Sequence, residues 1–398
     1  MKSKVLSDPF DDVDSWNRED ASELERPKGL GKYQIVVTSR DWTVETIVRQ
    51  VQQENIDLDP AFQRRNAWRD NRRSRLIESF ILGFPVPQLV LAENPRHRGT
   101  FVVIDGKQRL MTIASLYIPE YRDYWAQPRF SGLKVLTGLN GTSLDNFLAE
   151  SQYSKEQRQL GNADIRTTVI TGFTDEAVLY DIFYRINTGS VPLSSQELRQ
   201  VLNRGNFSRF LLKITAEPNP IWDVLGIDAP DPRLRDVELL LRLIALHRFS
   251  ESYRGSMKAF LDDSMKNLNE NWSSESSSID DLAKQLFKAI KLAMEIFGAE
   301  VGRKYKGGRY ERALNRALFE VQIYYLSFHN VRAGARQHKS AVLTAAKSLF
   351  ADNEFVASIE STTKSIDNYR TRFAKYRKML ERALGVSVPA IQIAVEAK

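Results

Sequence analysis

Asp105, Gly106, Lys107, Gln108 and Arg109 place the most chemistry in the fewest positions of this chain. They lie within "TFVVIDGKQRLMTIASLY", Thr100 to Tyr117. The stretch opens as a buried strand and closes as an amphipathic helix from Lys107 to about Tyr117. The five polar residues therefore crowd into the turn between. The first N–H groups of a helix lack partners inside it, and the helix dipole adds roughly half a positive charge there. Gly106 lets the backbone approach closely. Lys107, Gln108 and Arg109 add donors suited to phosphate, Arg109 as a two-pronged fork. Such a turn cradles phosphate without a P-loop. Asp105, acceptor-only when ionised, suits Mg2+ or a water beside those phosphates. The same residues also make an ordinary tight turn with a capped helix and solvated cations. Local sequence leaves both readings open.

A second cluster, "FQRRNAWRDNRRSR", holds Arg64, Arg65, Arg69, Arg72, Arg73 and Arg75 against one acid, Asp70. Gln63-Arg64 repeats the amide–guanidinium pair of Gln108-Arg109, and Trp68 can stack on a guanidinium. This reads as a surface for nucleotide or nucleic-acid phosphates, or as the solvated face of a helix. A third feature is Asn187 in "IFYRINTGSVPLSS", ending a helix just before Gly189. It either caps that helix or presents its amide to a ligand.

Several chemistries are excluded. Cysteine is absent, which removes disulfides, Cys-type zinc sites and thiol catalysis and fits a reducing cytoplasm. His97, His247, His329 and His338 lack zinc-ligand spacing. "FHNVRAGARQH" has a superficial likeness to a His-Asn nuclease motif but no companion ligands. Neither a P-loop nor a Rossmann glycine pattern occurs. No apolar run approaches the roughly 20 residues needed to cross a bilayer, and the N-terminus has no apolar signal segment. The net charge of +7 is a weak pointer to polyanions.

The elements that must position these residues can be read by period and punctuation. Residues 1–32 form an acidic arm, with eight acids and one base from Asp8 to Glu25. Residues 33–215 alternate strands and helices. Ile35 to Val37 read as a strand, and Thr43 caps the helix "VETIVRQVQQE". A helix from about Ala67 buries Leu76, Ile77, Phe80 and Ile81 and stops at Gly83. "QLVLAE" and "TFVVID" make a hairpin across "NPRHRG". "DIRTTVIT" is a further strand, a helix begins at Asp175, and Ser194 with Glu197 is spaced as a capping box. Residues 216–398 read as helices, interrupted by a Ser-rich loop, "WSSESSSIDD". The last helix puts Tyr369, Phe373, Tyr376 and Leu380 on one face and Arg370, Arg372, Lys375, Lys378 and Arg382 on the rest. It can lie on DNA or another chain, or stay solvated. The fold class expected is α+β, followed by an all-helical domain.

Four blocks in order, "DPAFQRRNAW", "LIESFILGFPVPQLVLAE", "FVVIDGKQRLMTIASLY" and "IFYRINTGSVPLSSQELR", resemble the N-terminal domain of GmrSD-type restriction endonucleases. That domain belongs to a ParB/sulfiredoxin-like group with an Asp-Gly-Gln-Gln-Arg signature. Later segments resemble its helical continuation, so the likeness runs from about residue 33 to about 330. The resemblance implies a ParB-like fold binding a nucleoside triphosphate with Mg2+, and hydrolysing it, in a DNA-directed restriction or anti-phage system. It maps the signature onto Asp105, Gly106, Lys107, Gln108 and Arg109, the early pair onto Gln63 and Arg64, and the helix-terminal amide onto Asn187. Asp105 and Arg109 would be catalytic, with Asp105 on the metal. Gln63, Arg64, Gly106, Lys107, Gln108 and Asn187 would bind nucleotide, and Arg65, Arg69, Arg72 and Arg73 nucleic acid. Lys107 departs from the signature's first glutamine. No His-rich nuclease module follows residue 215, so cutting falls to a partner subunit or to the ParB-like site itself. A DNA-binding or assembly module with nucleotide as a switch is the alternative, and an oligomer is compatible with either.

Overall fold

In the computed structural model, the structure describes residues 35–56, 58, 68–94, 97–173, 182, 194–360 and 365–393. The fold is α+β: a sheet-containing front region and a helical back region. The described residues divide into two compact units at Ser194, earlier in the chain than the expected boundary at 215. The arm over residues 1–32 and the helix expected from Asp175 to the neighbourhood of Asn187 lie outside the described residues, as do Gln63, Arg64 and Arg65.

The first unit is built on a four-stranded sheet. Its strands are β1 (Val36–Thr43), β2 (Leu89–Glu93), β3 (Phe101–Asp105) and β4 (Asp164–Thr171), in the spatial order β1-β4-β2-β3. β1 runs antiparallel to β4, β4 parallel to β2, and β2 antiparallel to β3. β1 is longer than the three residues expected, because its ladder with β4 continues from Val36 to Thr43. Helices α1 (Val44–Gln52), α2 (Asp70–Ile81) and α3 (Lys107–Tyr117) pack with the sheet, and α4 (Leu144–Ala149) and α5 (Ser154–Gly161) follow.

Local rules account for these elements. The Thr43 hydroxyl accepts the Thr46 N–H at 3.1 Å and starts α1. Val44, Ile47, Val48 and Val51 then bury one helical stripe. In α2, Leu76, Ile77, Phe80 and Ile81 are buried, each worth about 1.5–3 kcal/mol. Glu78, on the same helix, is buried too. Its carboxylate accepts the N–H groups of Lys134 at 3.1 Å and of Val135 and Leu136 at 2.8 Å, clamping that loop to α2.

The second unit is helical: α6 (Ser195–Leu202), α7 (Asn206–Ala216), α8 (Pro220–Leu225), α9 (Arg235–Phe249), α10 (Met257–Glu270), α11 (Trp272–Phe297), α12 (Arg316–Ser327), α13 (His329–Gln337), α14 (Lys339–Leu349), α15 (Asn353–Glu360) and α16 (Ile366–Leu384). A two-residue hairpin, β5 (Tyr305–Lys306) with β6 (Arg309–Tyr310), interrupts the run. The capping box at α6 is present in both directions, Glu197 N–H to Ser194 Oγ at 3.1 Å and Ser194 N–H to the Glu197 carboxylate at 2.6 Å. The boundary falls at Ser194 because α6 and α7 pack with later helices. Arg199 bonds Asp262 at 2.6 Å, and Phe207 and Phe210 pack on Trp272 at ring separations of 5.7 and 5.1 Å.

That aromatic contact also corrects the Ser-rich loop, which forms the first turns of α11. Serine disfavours helix only mildly. Trp272 at the start, a Glu275–Arg248 ion pair at 2.6 Å and buried Ile279 outweigh the difference. α9 is buried from Asp236 to Leu246, and its charges are paired internally. Glu238 accepts from Arg242 at 2.7 Å and Arg316 at 2.8 Å, and Arg242 also reaches Glu320 at 2.7 Å. The last helix buries Tyr369, Phe373, Tyr376 and Leu380 as expected, but its basic face is smaller than expected. Arg372 is buried over the Tyr369 ring at 4.1 Å. Lys375 is held by Asp352 and Glu354, each at 2.6 Å.

Candidate functional site

The turn that joins β3 to α3 is shaped by its neighbours on β2. Leu91 opposes Val103 while Val90 opposes Asp105, so Ile104 is the extra residue of a β-bulge. A bulge bends its strand and re-aims the next side chain, here Asp105. Gly106 follows at φ +95°, in the left-handed region, as the N-cap of α3. A Cβ at this position would stand 2.4 Å from Leu89 Cδ2 and 3.1 and 3.2 Å from two nitrogens of the Arg109 guanidinium. Glycine is therefore required twice, by conformation and by space. No side chain caps the first turn of α3.

The charged groups of the turn are organised. Arg109 donates from one terminal nitrogen to the Asp105 carboxylate at 2.8 Å and to the Gln88 carbonyl at 2.9 Å. Gln88 in turn accepts from the Thr168 hydroxyl at 3.2 Å, which ties the turn to the central strand β4. The Asp105 side chain is still about a third exposed, at 36%, while that of Arg109 is at 13%. Gln108 accepts a hydrogen bond from the hydroxyl of Tyr124. Asp105, Gly106, Lys107, Gln108 and Arg109 are thus contiguous in space as in sequence, on one strand end and the first turn of one helix.

The arginine cluster separates into two populations. Arg69 and Arg72 are exposed at the start of α2, and the Arg72 guanidinium lies 4.3 Å from the Trp68 ring centre. Arg75 is exposed and donates to the Gly132 carbonyl at 3.0 Å. Arg73 does not sit on the exposed face where the sequence reading put it. It is 2% exposed, paired with Asp70, and lies over the Tyr124 ring at 4.0 Å. The helical period sets Arg73 on the face of Ile77 and Phe80 and away from Arg72, while Arg69 stands outside the helix as its extended N-cap. Asp70 also accepts the N–H groups of Ala126 at 3.2 Å and Gln127 at 2.8 Å. Burial raises the pKa of Tyr124, with the Arg73 charge opposing it, so the phenol keeps its proton.

Sequence reasoning missed Gln88, Leu89, Asp70 and Tyr124. The first two contact the turn across a strand pairing, and the last two act through a fold-back of the chain after α3. No local spacing signals either relation. Among the described residues no group of three or more His, Asp or Glu side chains is placed to hold a metal. Asp105 thus belongs to no such group, and it fits Mg2+ where a ligand's phosphates supply further oxygens. Among those residues, too, no helix is long and apolar enough to cross a membrane.

The class defined by this fold is an α+β domain with a glycine-capped, charged turn at a strand–helix junction, continued by a helical unit. Residues 44–202 match the family model described as GmrSD restriction endonuclease, N-terminal domain. The match spans the turn, the arginine cluster and the capping box. No curated protein and no solved structure matches the chain.

Proposed function

We propose that the Asp105–Arg109 turn binds the phosphates of a nucleoside triphosphate and hydrolyses it, within a DNA-directed restriction or anti-phage system. The observation that carries this reading is Gly106: a left-handed N-cap with no room for a Cβ, opening a helix whose first turn has no side-chain cap. A helix N-terminus with its dipole end and adjacent cations supplies the parts of an anion site. The family match supplies the link to restriction.

Lys107 and Arg109 hold phosphate oxygens, with Gln108 donating beside them. The family resemblance assigns nucleotide binding also to Gln63, Arg64 and Asn187, which lie outside the described residues. Arg109 moves from Asp105 to the ligand, which frees the partly exposed carboxylate to orient a water. Mg2+, held by Asp105 and the ligand's own phosphates, supplies charge neutralisation when bound. The exposed Arg69 and Arg72 face DNA. The cleavage step belongs to a partner subunit.

The test is calorimetric titration of ATP, GTP and CTP, each with Mg2+, into wild type and Lys107→Ala, followed by phosphate release from wild type and Asp105→Ala. Binding lost in Lys107→Ala and turnover lost in a folded Asp105→Ala support the reading. Turnover unchanged in Asp105→Ala overturns the role of that carboxylate. A second reading, nucleotide binding without turnover as a switch for DNA binding, draws on the Asp105–Arg109 pair, which occupies both groups that hydrolysis needs. It predicts binding with no phosphate release. Metal-dependent nicking of DNA, lost in Asp105→Ala, would instead place a nuclease at the turn.

A further inference from the structure

Arg73 is an unexpected charge in a core. It sits 2% exposed on α2, paired with Asp70, with its guanidinium 4.0 Å from the centre of the Tyr124 ring. The chain has used Asp70 a second time, to hold the N–H groups of Ala126 and Gln127 just beyond Tyr124. Two residues of α2 thus fix both the ring and the backbone of the segment that carries Tyr124. Tyr124 itself is 3% exposed, and its hydroxyl meets the side chain of Gln108, the second residue of α3.

The direction of that hydrogen bond follows from donor inventories. A guanidinium has N–H donors and no acceptor. The Arg73 guanidinium lies over the Tyr124 ring and can take no proton from the phenol. The phenol donates, and Gln108 receives its proton on the carbonyl oxygen, Oε1. An amide whose oxygen is engaged presents its NH2 elsewhere. A glutamine free to rotate would offer an anion its oxygen as readily as its nitrogen. One held by its oxygen offers donors only.

We infer that Tyr124 is a positioning residue that locks the Gln108 amide as a hydrogen-bond donor beside the Gly106 turn, and that Arg73 and Asp70 hold Tyr124 for this purpose. The inference rests on the proposed reading of that turn as a phosphate site and deepens it. It makes every side-chain group of residues 107 to 109 a donor, so the site selects a multiply charged, acceptor-only ligand. It also connects the exposed start of α2, where Arg69 and Arg72 lie, to the turn through Asp70, Arg73 and Tyr124.

The experiment is a double-mutant cycle on the full chain with ATP and Mg2+ as the first probe and GTP and CTP next. Tyr124→Phe keeps the ring beneath Arg73 and removes only the hydroxyl. We expect about 5- to 20-fold weaker triphosphate binding in Tyr124→Phe, a loss of the same order in Gln108→Ala, and no further loss in the double variant, because Tyr124 acts through Gln108. Losses that multiply in the double variant, or a Tyr124→Phe that binds as wild type, overturn the inference while leaving the phosphate site standing. A second readout needs no ligand: the side-chain NH2 resonances of Gln108, assigned by their disappearance in Gln108→Ala. They should shift in Tyr124→Phe. If wild type binds no triphosphate, the proposed function fails, and these resonances alone decide the positioning role. A shift supports it, and unchanged resonances sink it.

Discussion

Replacing Gly106 by alanine asks two things of the turn at once. The new side chain must live at φ +95°, and its Cβ must find space 2.4 Å from Leu89 Cδ2. The left-handed conformation costs an L-residue about 1–2 kcal/mol. Forcing a methyl group against a fully buried leucine costs about 1–3 kcal/mol more. The sum, about 2–5 kcal/mol, is to be read in the unfolding of the first unit, by urea denaturation followed by far-ultraviolet circular dichroism. The two components can be separated. Leu89→Ala removes the clashing atom and costs about 2–5 kcal/mol by itself. In the double variant the packing penalty of Gly106→Ala disappears while the backbone penalty stays. The pair should therefore be less destabilised than the sum of the singles, by about 1–3 kcal/mol. Strict additivity would mean that Leu89 does not limit the turn. A Gly106→Ala protein as stable as wild type would refute both components and, with them, the argument that glycine is required here.

Three further outcomes are expected. Glu78→Gln removes the charge from the oxygen that three N–H groups share and sets an NH2 where Oε2 also meets the Lys134 N–H, and should cost about 1–3 kcal/mol. Burial works against the Glu78 charge, but the N–H groups of Leu136, Val135 and Lys134 win and its pKa lies below the usual value. Its contribution is therefore present above about pH 4.5 and lost as pH falls through the folded value, so Glu78→Gln should flatten the acid limb of a stability–pH curve. Burial pushes His247, stacked on Tyr324 at 4.4 Å, down to about 4. The folded state keeps it neutral while the unfolded state takes up a proton below about 6.5. Stability is thus lost as pH falls from about 6.5 to about 4, by up to about 3 kcal/mol, and denaturation of His247→Phe across that window should show a smaller slope. Arg72→Ala and Arg73→Ala, neighbours in sequence, should diverge. The first lowers the salt slope of DNA binding by about one with little change in stability. The second destabilises the fold by leaving Asp70 without its cation, as urea denaturation of the two variants would show.

The turn, its helix and the caps were legible because their signals are local. Gly106 sits between an apolar run and a helical period, and Thr43 and Ser194 stand three residues before the groups they cap. α9 and the buried stripe of α16 follow from periodicity alone. The Ser-rich start of α11 was not legible, since its helicity depends on Trp272 meeting Phe207 and Phe210 more than sixty residues earlier in the chain. The buried arginines were also hidden. Arg73 and Arg372 look like surface charges until the partners that neutralise them, Asp70 and Glu320, and the rings that cover them are in place.

By itself, then, the amino-acid sequence determined that a run of charged and polar residues stands at a strand–helix junction. Backbone propensities, caps and hydrophobic periods act over a few positions and can be read in one dimension. Tertiary structure alone decided how those residues are held: Arg109 closed on Asp105 and the Gln88 carbonyl, Gly106 pressed on Leu89, and Gln108 engaged by Tyr124. Each of those contacts joins separate elements, and its energy depends on burial and distance that no linear spacing encodes.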